Sequence, residues 1–81
     1  MKDKVSSLVD ESIKDLNVFV DDAFISIEEG KKIFNIVLDS SEVIDLNKVT
    51  EASRIINKIM DNSDLLKEVD ELDIYSKEKG E

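Results

Sequence analysis

The 81-residue sequence predicts an α+β fold, a two-layer α-β-β-α-β sandwich whose three-stranded sheet carries two helices on one face. Three observations carry that expectation. Two stretches repeat their apolar residues at three- and four-residue steps, the period of a helix. Between them lie two β-branched and aromatic runs joined by Glu28-Glu29-Gly30-Lys31. A shorter alternating run follows the second helix, and one sheet with both helices on one face is the simplest two-layer arrangement of these elements.

Val5, Leu8, Val9, Ser12, Ile13 and Leu16 share one helical stripe, with Asp10, Glu11, Lys14 and Asp15 largely opposite. They predict a helix over about residues 4–16, capped by Asp3 or Ser6 and ending near Asn17. Residues 17–28 have no helical period. Phe19, Ala23, Ile25 and Ile27 take one parity, whereas Val18, Val20 and Phe24 take the other. That imperfect alternation implies either a bulge or a sheet covered on parts of both faces. Gly30 supplies a residue that accepts positive φ, so a hairpin is the economical connection to the next strand.

Residues 33–54 organise the chain. Ile33, Phe34, Ile36, Val37 and Leu38 form a strand-like run, which Asp39, Ser40, Ser41 and Glu42 interrupt as turn residues. From Asp45 to Met60 the period becomes helical, with Leu46, Val49, Ile56 and Ile59 as the buried stripe and Ile55 widening it. Asp45 or Ser41 is the expected N-cap. Asp61, Asn62, Ser63 and Asp64 stop the helix by competing for backbone hydrogen bonds, and Leu65 and Leu66 return to the core. Residues 69–75 form the third strand, with Leu72 and Ile74 inward and Glu71 and Asp73 outward. Periodicity leaves open which of the first two strands it joins.

A chain this short buries only about 60% of the surface it exposes when unfolded. Its 41% hydrophobic and 38% charged residues still suit a folded domain rather than a disordered one. No apolar run approaches the roughly 20 residues of a membrane span, so the expectation is a cytoplasmic protein and a monomer without membrane partners. Twenty acidic residues face eleven basic ones, for a net charge of -9. Nucleic-acid affinity rests largely on Lys and Arg neutralising phosphates, so little direct binding of nucleic acid is expected. A basic protein is the better-matched partner.

Catalytic chemistry finds few of its usual groups. There is no His and no Cys, so the serines lack the usual activating partner, and no glycine-rich phosphate cradle accompanies any lysine. Asp21 and Asp22 are adjacent on an expected strand and so point to opposite faces. Asp39, Ser40, Glu42 and Asp45 fail the calcium-loop pattern, since its sixth position is Ile44 and its twelfth Thr50. No enzyme is expected, and no catalytic, cofactor-binding or metal-ligating residue is assigned. Glu51, Arg54 and Lys58, one helical turn apart, are expected to pair along a solvated helix face. Lys31 and Lys32 are expected to be solvated edge residues.

Residues 34–39 (FNIVLD), Ile44-Asp45-Leu46-Asn47 and Ser53-Arg54 carry a resemblance. They are similar, in order, to the strand ending in an apolar residue and Asp, the Val-Thr-Leu-Asp-Asp-like helix start and the Ser-Arg pair of the bacterial ribosome maturation factor RimP family, in its N-terminal domain. Glu71-Leu72-Asp73-Ile74-Tyr75-Ser76 resembles that family's Leu-Glu-Val-Ser-Ser segment. The likeness spans about residues 8–76 and is a pattern of strand, loop and helix rather than a catalytic signature. It implies an N-terminal α+β domain over residues 1–76, with 77–81 a charged tail or the start of a linker to a C-terminal β-barrel. Where the family continues with Pro-Gly and an Arg-containing motif, this chain has Lys77-Glu78-Lys79-Gly80-Glu81.

The resemblance implies a non-catalytic assembly factor for the small ribosomal subunit. Such a factor binds a basic small-subunit ribosomal protein or the pre-30S particle. Two alternatives remain at this level. One is an acidic protein-interaction module unrelated to ribosomes. The other is an acyl-carrier-like protein with phosphopantetheine on Ser40, which follows Asp39; against it, Ser41 replaces the usual Leu or Met, and the preceding residues have strand character.

Overall fold

Glu29 and Gly30 have φ angles of 53° and 81°, consecutive positive values that define a tight hairpin turn of the type I′ kind. The turn closes β1 (Phe19–Glu28) antiparallel onto β2 (Lys31–Asp39), with Glu28 opposite Lys31. This is the hairpin expected around Gly30. The structure, a computed structural model, describes residues 1–43 and 45–77. Ile44 of the expected helix start and 78–81 of the expected tail lie outside the described residues.

Before the hairpin, α1 (Lys2–Ile13) tightens into one 3-10 turn, Lys14–Leu16, and stops at Asn17 with φ of 60°. Asn tolerates that left-handed conformation better than most residues, which explains why the helix ends there. The expected cap at Asp3 or Ser6 is corrected. The helix starts earlier, behind Met1, with no side-chain cap, and Val5 donates its N–H to the Met1 carbonyl at 3.2 Å. Asp3 sits instead in the first turn, where its charge complements the helix dipole.

After β2 the chain crosses through α2 (Leu46–Asp61) and a second 3-10 turn, Asp64–Leu66, to β3 (Glu71–Ser76). That strand lies beside β2 and parallel to it, so the sheet order is β1-β2-β3. Parallel neighbours need a crossover of a dozen or more residues, and α2 provides it. The Asp70 N–H meets the Lys32 carbonyl at 2.8 Å, and the Lys77 N–H meets the Leu38 carbonyl at 2.7 Å, fixing both ends of β3.

Asp45 is the N-cap of α2, its Oδ1 accepting the Asn47 N–H at 2.9 Å. Asp45→Ala is expected to cost about 1 kcal/mol of stability, the usual cost of losing such a cap. Asp45→Asn should restore most of it in chemical denaturation. Equal loss in both variants would mean that the cap bond contributes little.

Both helices pack on one sheet face. Val5, Val9 and Ile13 from α1 meet Val49, Ala52, Ile56 and Met60 from α2 over Val20, Ala23, Phe34, Ile36 and Leu38. Leu65, Leu66, Leu72 and Ile74 are partly buried against this core, as expected. The helical stripes need correction at Leu8, Ser12, Leu46 and Met60, Ser12 being exposed. Leu46 is 71% exposed and Leu8 41% exposed, while Met60 is fully buried. The row of α2 that packs is 49, 52, 56 and 60, which leaves Leu46 in the first turn outside the contact and Ile55 and Ile59 beside it.

The broken alternation of the first strand has a single cause. The register shifts between Val20, opposite Leu38, and Asp22, opposite Val37, so Asp21 is the extra residue of a β-bulge. The bulge brings both Val20 and Ala23 to the helix side, although they are three residues apart. The exposed edge of β1 is blunted there as well, because Asp10 Oδ1 on α1 accepts the Val20 N–H at 3.1 Å. Among the described residues, no helix is long and apolar enough to cross a membrane.

Candidate interaction surface

Among the described residues, no helix lies on the second face of the sheet. Strand alternation and pairing place Asp22, Phe24, Ser26 and Glu28 of β1 there, beside Lys31, Ile33, Asn35 and Val37 of β2 and Glu71, Asp73 and Tyr75 of β3. The bulge adds Asp21. Val20 and Ala23 are both buried on the helix side, so the two residues between them both face away from it. This corrects the expectation that Asp21 and Asp22 point to opposite faces, which holds only for a regular strand.

Central β2 is buried throughout 33–38 even though no helix among the described residues packs on this face. Ser26 of β1 and Tyr75 of β3 reach across to its centre. Asn35, 6% exposed at the centre, is fully engaged. Its Nδ2 donates to Ser26 Oγ at 2.9 Å, to the Ile33 carbonyl at 3.1 Å and to the Phe24 carbonyl at 3.4 Å. Its Oδ1 accepts from the Tyr75 hydroxyl at 3.3 Å, so one polar chain crosses all three strands. Satisfied in this way, a buried amide costs little and fixes the positions of its neighbours.

Around that centre the surface is aromatic and acidic. Phe24 and Tyr75 are each somewhat more than a third exposed. Lys31 pairs with Glu71 at 3.7 Å and Lys77 with Asp21 at 3.5 Å. Among the described residues no cation pairs with Asp22, Glu28 or Asp73. Tyr75 registers the resulting field. Burial raises its phenol above the ordinary 10.0, and the charges of Asp73, Asp22 and Glu28 raise it further.

Because Tyr75 is the sole tyrosine and there is no tryptophan, alkaline absorbance reports this one group. It is expected to ionise later than free tyrosine, and Asp73→Asn should bring it part of the way back. The raised value means that the fold favours the neutral phenol. That contribution is complete below the unfolded pKa and is lost as pH rises through the folded one. A midpoint at or below that of free tyrosine would contradict an acidic surround.

The other residues singled out in the sequence do not converge. Ser40 is buried at 4% exposure, and its Oγ accepts the Glu42 N–H at 3.2 Å, a turn role. Asp39 Oδ1 accepts the Ser40 N–H at 2.7 Å. Among the described residues, no group of three or more His, Cys, Asp or Glu side chains is placed to hold a metal ion. Glu51, Arg54 and Lys58 are exposed but do not pair with one another, contrary to expectation. Exposed i,i+3 pairs do form elsewhere, Lys14 with Glu11 at 3.1 Å and Lys67 with Asp64 at 3.4 Å, and nothing in the structure explains why this one does not. Lys31 and Lys32 are exposed, but neither is an edge residue as expected, because β2 is the central strand; Lys32 lies between Ile27 and Asp70, and Lys31 is drawn to Glu71. On the helix side, Ser12, Ile55, Lys58, Ile59 and Asn62 line an open depression of about 300 Å³.

Sequence reasoning missed Phe24 and Tyr75 as exposed rings of this face and Asn35 as its buried centre. A polar Asn inside an apolar strand run was the available signal, since a buried amide requires partners. No protein-family model matches the chain, and no curated protein matches it. Fold and surface together define an α+β domain with one sheet face covered by helices and the other acidic, aromatic and open.

Proposed function

We propose that the protein is a non-catalytic assembly factor for the small ribosomal subunit, binding a basic ribosomal protein or a pre-30S surface that presents one. The open sheet face carries this reading. It places Asp22, Glu28 and Asp73, unpaired with any cation among the described residues, around exposed aromatic rings. Such a field attracts cationic partners and repels bare RNA. The ribosome itself enters through the likeness of residues 34–39, 44–47, 53–54 and 71–76 to the RimP N-terminal domain. In this reading the domain works in the cytoplasm as a monomer, without turnover, and acts together with a β-barrel domain joined beyond residue 77.

The second reading is an acidic interaction module unrelated to ribosomes, using the same face. Phosphopantetheine on Ser40 is a weaker alternative, because that hydroxyl is buried and follows a strand. A pull-down from bacterial lysate at low and moderate salt separates the first two readings. Enrichment of small-subunit components, falling as salt rises, is expected, because the screening length is only about 8 Å at physiological ionic strength. Enrichment of other proteins alone favours the second reading. Tight binding to protein-free ribosomal RNA, with no affinity for basic ribosomal proteins, overturns the electrostatic basis of both.

A further inference from the structure

On the two outer strands, ring and carboxylate exchange places. Along β1, Asp22 precedes Phe24, and along β3, Asp73 precedes Tyr75. Across the sheet, Asp22 aligns with Val37 and Tyr75, while Phe24 aligns with Asn35 and Asp73. Each ring therefore has a carboxylate about 7 Å away along its own strand and another about 10 Å away across the sheet. The centre between them is closed, because Ile33 and Val37 are buried and the Asn35 amide is spent on Ser26, Tyr75 and backbone carbonyls. Recognition on this face is left to rings and carboxylates of the rim.

We infer that the open face docks an extended, arginine-bearing segment of a basic protein, with guanidinium planes on Phe24 and Tyr75 and guanidinium N–H groups on Asp22 and Asp73. The inference rests on the reading of the domain as a binder of a basic protein, and it specifies the chemistry of the contact. A guanidinium is planar, weakly hydrated and stacks on aromatic faces while its edge donates to a carboxylate. An ammonium is compact and strongly hydrated and satisfies only the carboxylate half of this pattern. An extended segment projects alternate side chains at the same roughly 7 Å step as the strands below it.

Other occupants fit less well. Exposed rings on a sheet also suit nucleic-acid bases, but the phosphates would then lie against Asp22, Glu28 and Asp73. A second copy docked face to face would oppose the same carboxylates. The depression between the helices has one ammonium, Lys58, and no carboxylate among its lining residues, so it offers no comparable recognition pattern.

The test uses the 81-residue chain and the emission of Tyr75, its only tyrosine in the absence of tryptophan. Two peptides of equal length and charge, alternating Arg-Ser and Lys-Ser, are titrated into it. The Arg peptide is expected to bind about fivefold more tightly or better, the scale of one or two exposed cation–π contacts. Phe24→Leu should lower affinity for the Arg peptide several-fold and leave the Lys peptide unchanged. Asp22→Asn combined with Asp73→Asn should weaken both peptides. Circular dichroism of each variant confirms the fold.

Equal affinity for the two peptides, binding of neither, or an equal loss for both in Phe24→Leu overturns the inference. So does tighter binding of a single-stranded RNA oligonucleotide. Self-association in sedimentation that Asp22→Asn and Asp73→Asn strengthen does so too, because it identifies a second copy as the occupant. Small-subunit enrichment in the pull-down without arginine preference removes this inference alone. Arginine preference without that enrichment removes the ribosomal assignment alone.

Discussion

Phe34→Ala will remove about 3–5 kcal/mol of stability, the usual cost of emptying a buried aromatic site. Phe34 is 1% exposed on the central strand, opposite Ile25 on one side and Leu72 on the other. A domain of this size holds in total roughly 4–12 kcal/mol, so the loss consumes a large share of it. The urea midpoint should fall by roughly 2 M or more. Phe24→Ala is the matched control, the same residue type on the same sheet but on the open face, opposite Asn35 and 39% exposed. It should cost only about 1 kcal/mol, as partly exposed positions do. If the two variants proved equally destabilised, the assignment of covered and open faces would be wrong.

Asn35→Asp will make the domain's stability depend on pH. The substitution keeps the side-chain shape but replaces a donor amide with a carboxyl, buried, directly beside Asp73 and diagonal to Asp22. Burial and like charges both disfavour the ionised form, so the introduced carboxyl will have a raised pKa in the fold. An acid raised in this way contributes nothing adverse below its unfolded pKa of about 3.9. The penalty grows as pH rises from there through the folded value and then levels off. A rise of about two units corresponds to about 2.7 kcal/mol at neutral pH. Denaturation at acid and neutral pH should therefore show the variant nearest to the parent protein in acid. A stability difference independent of pH would mean that position 35 is better solvated than its 6% exposure implies.

Local patterns made the elements legible. The three- and four-residue spacing of Val5, Val9 and Ile13, and of Val49 and Ile56, depends only on helix geometry, so it could be read without knowing what the helices touch. Gly30 and its turn were equally local. The errors came where packing selects among neighbours. Leu46 fits the apolar period but falls outside the contact, whereas Met60 completes it. The pairing expected of Glu51, Arg54 and Lys58 does not form, although the equally exposed i,i+3 pairs Lys14–Glu11 and Lys67–Asp64 do.

By itself, the sequence determined the α+β class, the order of elements, the hairpin and the net charge of -9. Tertiary structure alone decided that β3 joins β2 in parallel, bringing residues 71–76 beside 33–38 across a gap of 38 positions. It also decided that the irregularity in β1 is a bulge at Asp21, so that Asp21 and Asp22 share a face. The proposed interaction surface exists only because of those two choices. It joins Asp22 and Phe24 to Asp73 and Tyr75, residues about 50 positions apart in the chain. Strand pairing is set by long-range burial and register, and no local period in a sequence encodes which distant strand will supply the neighbouring row.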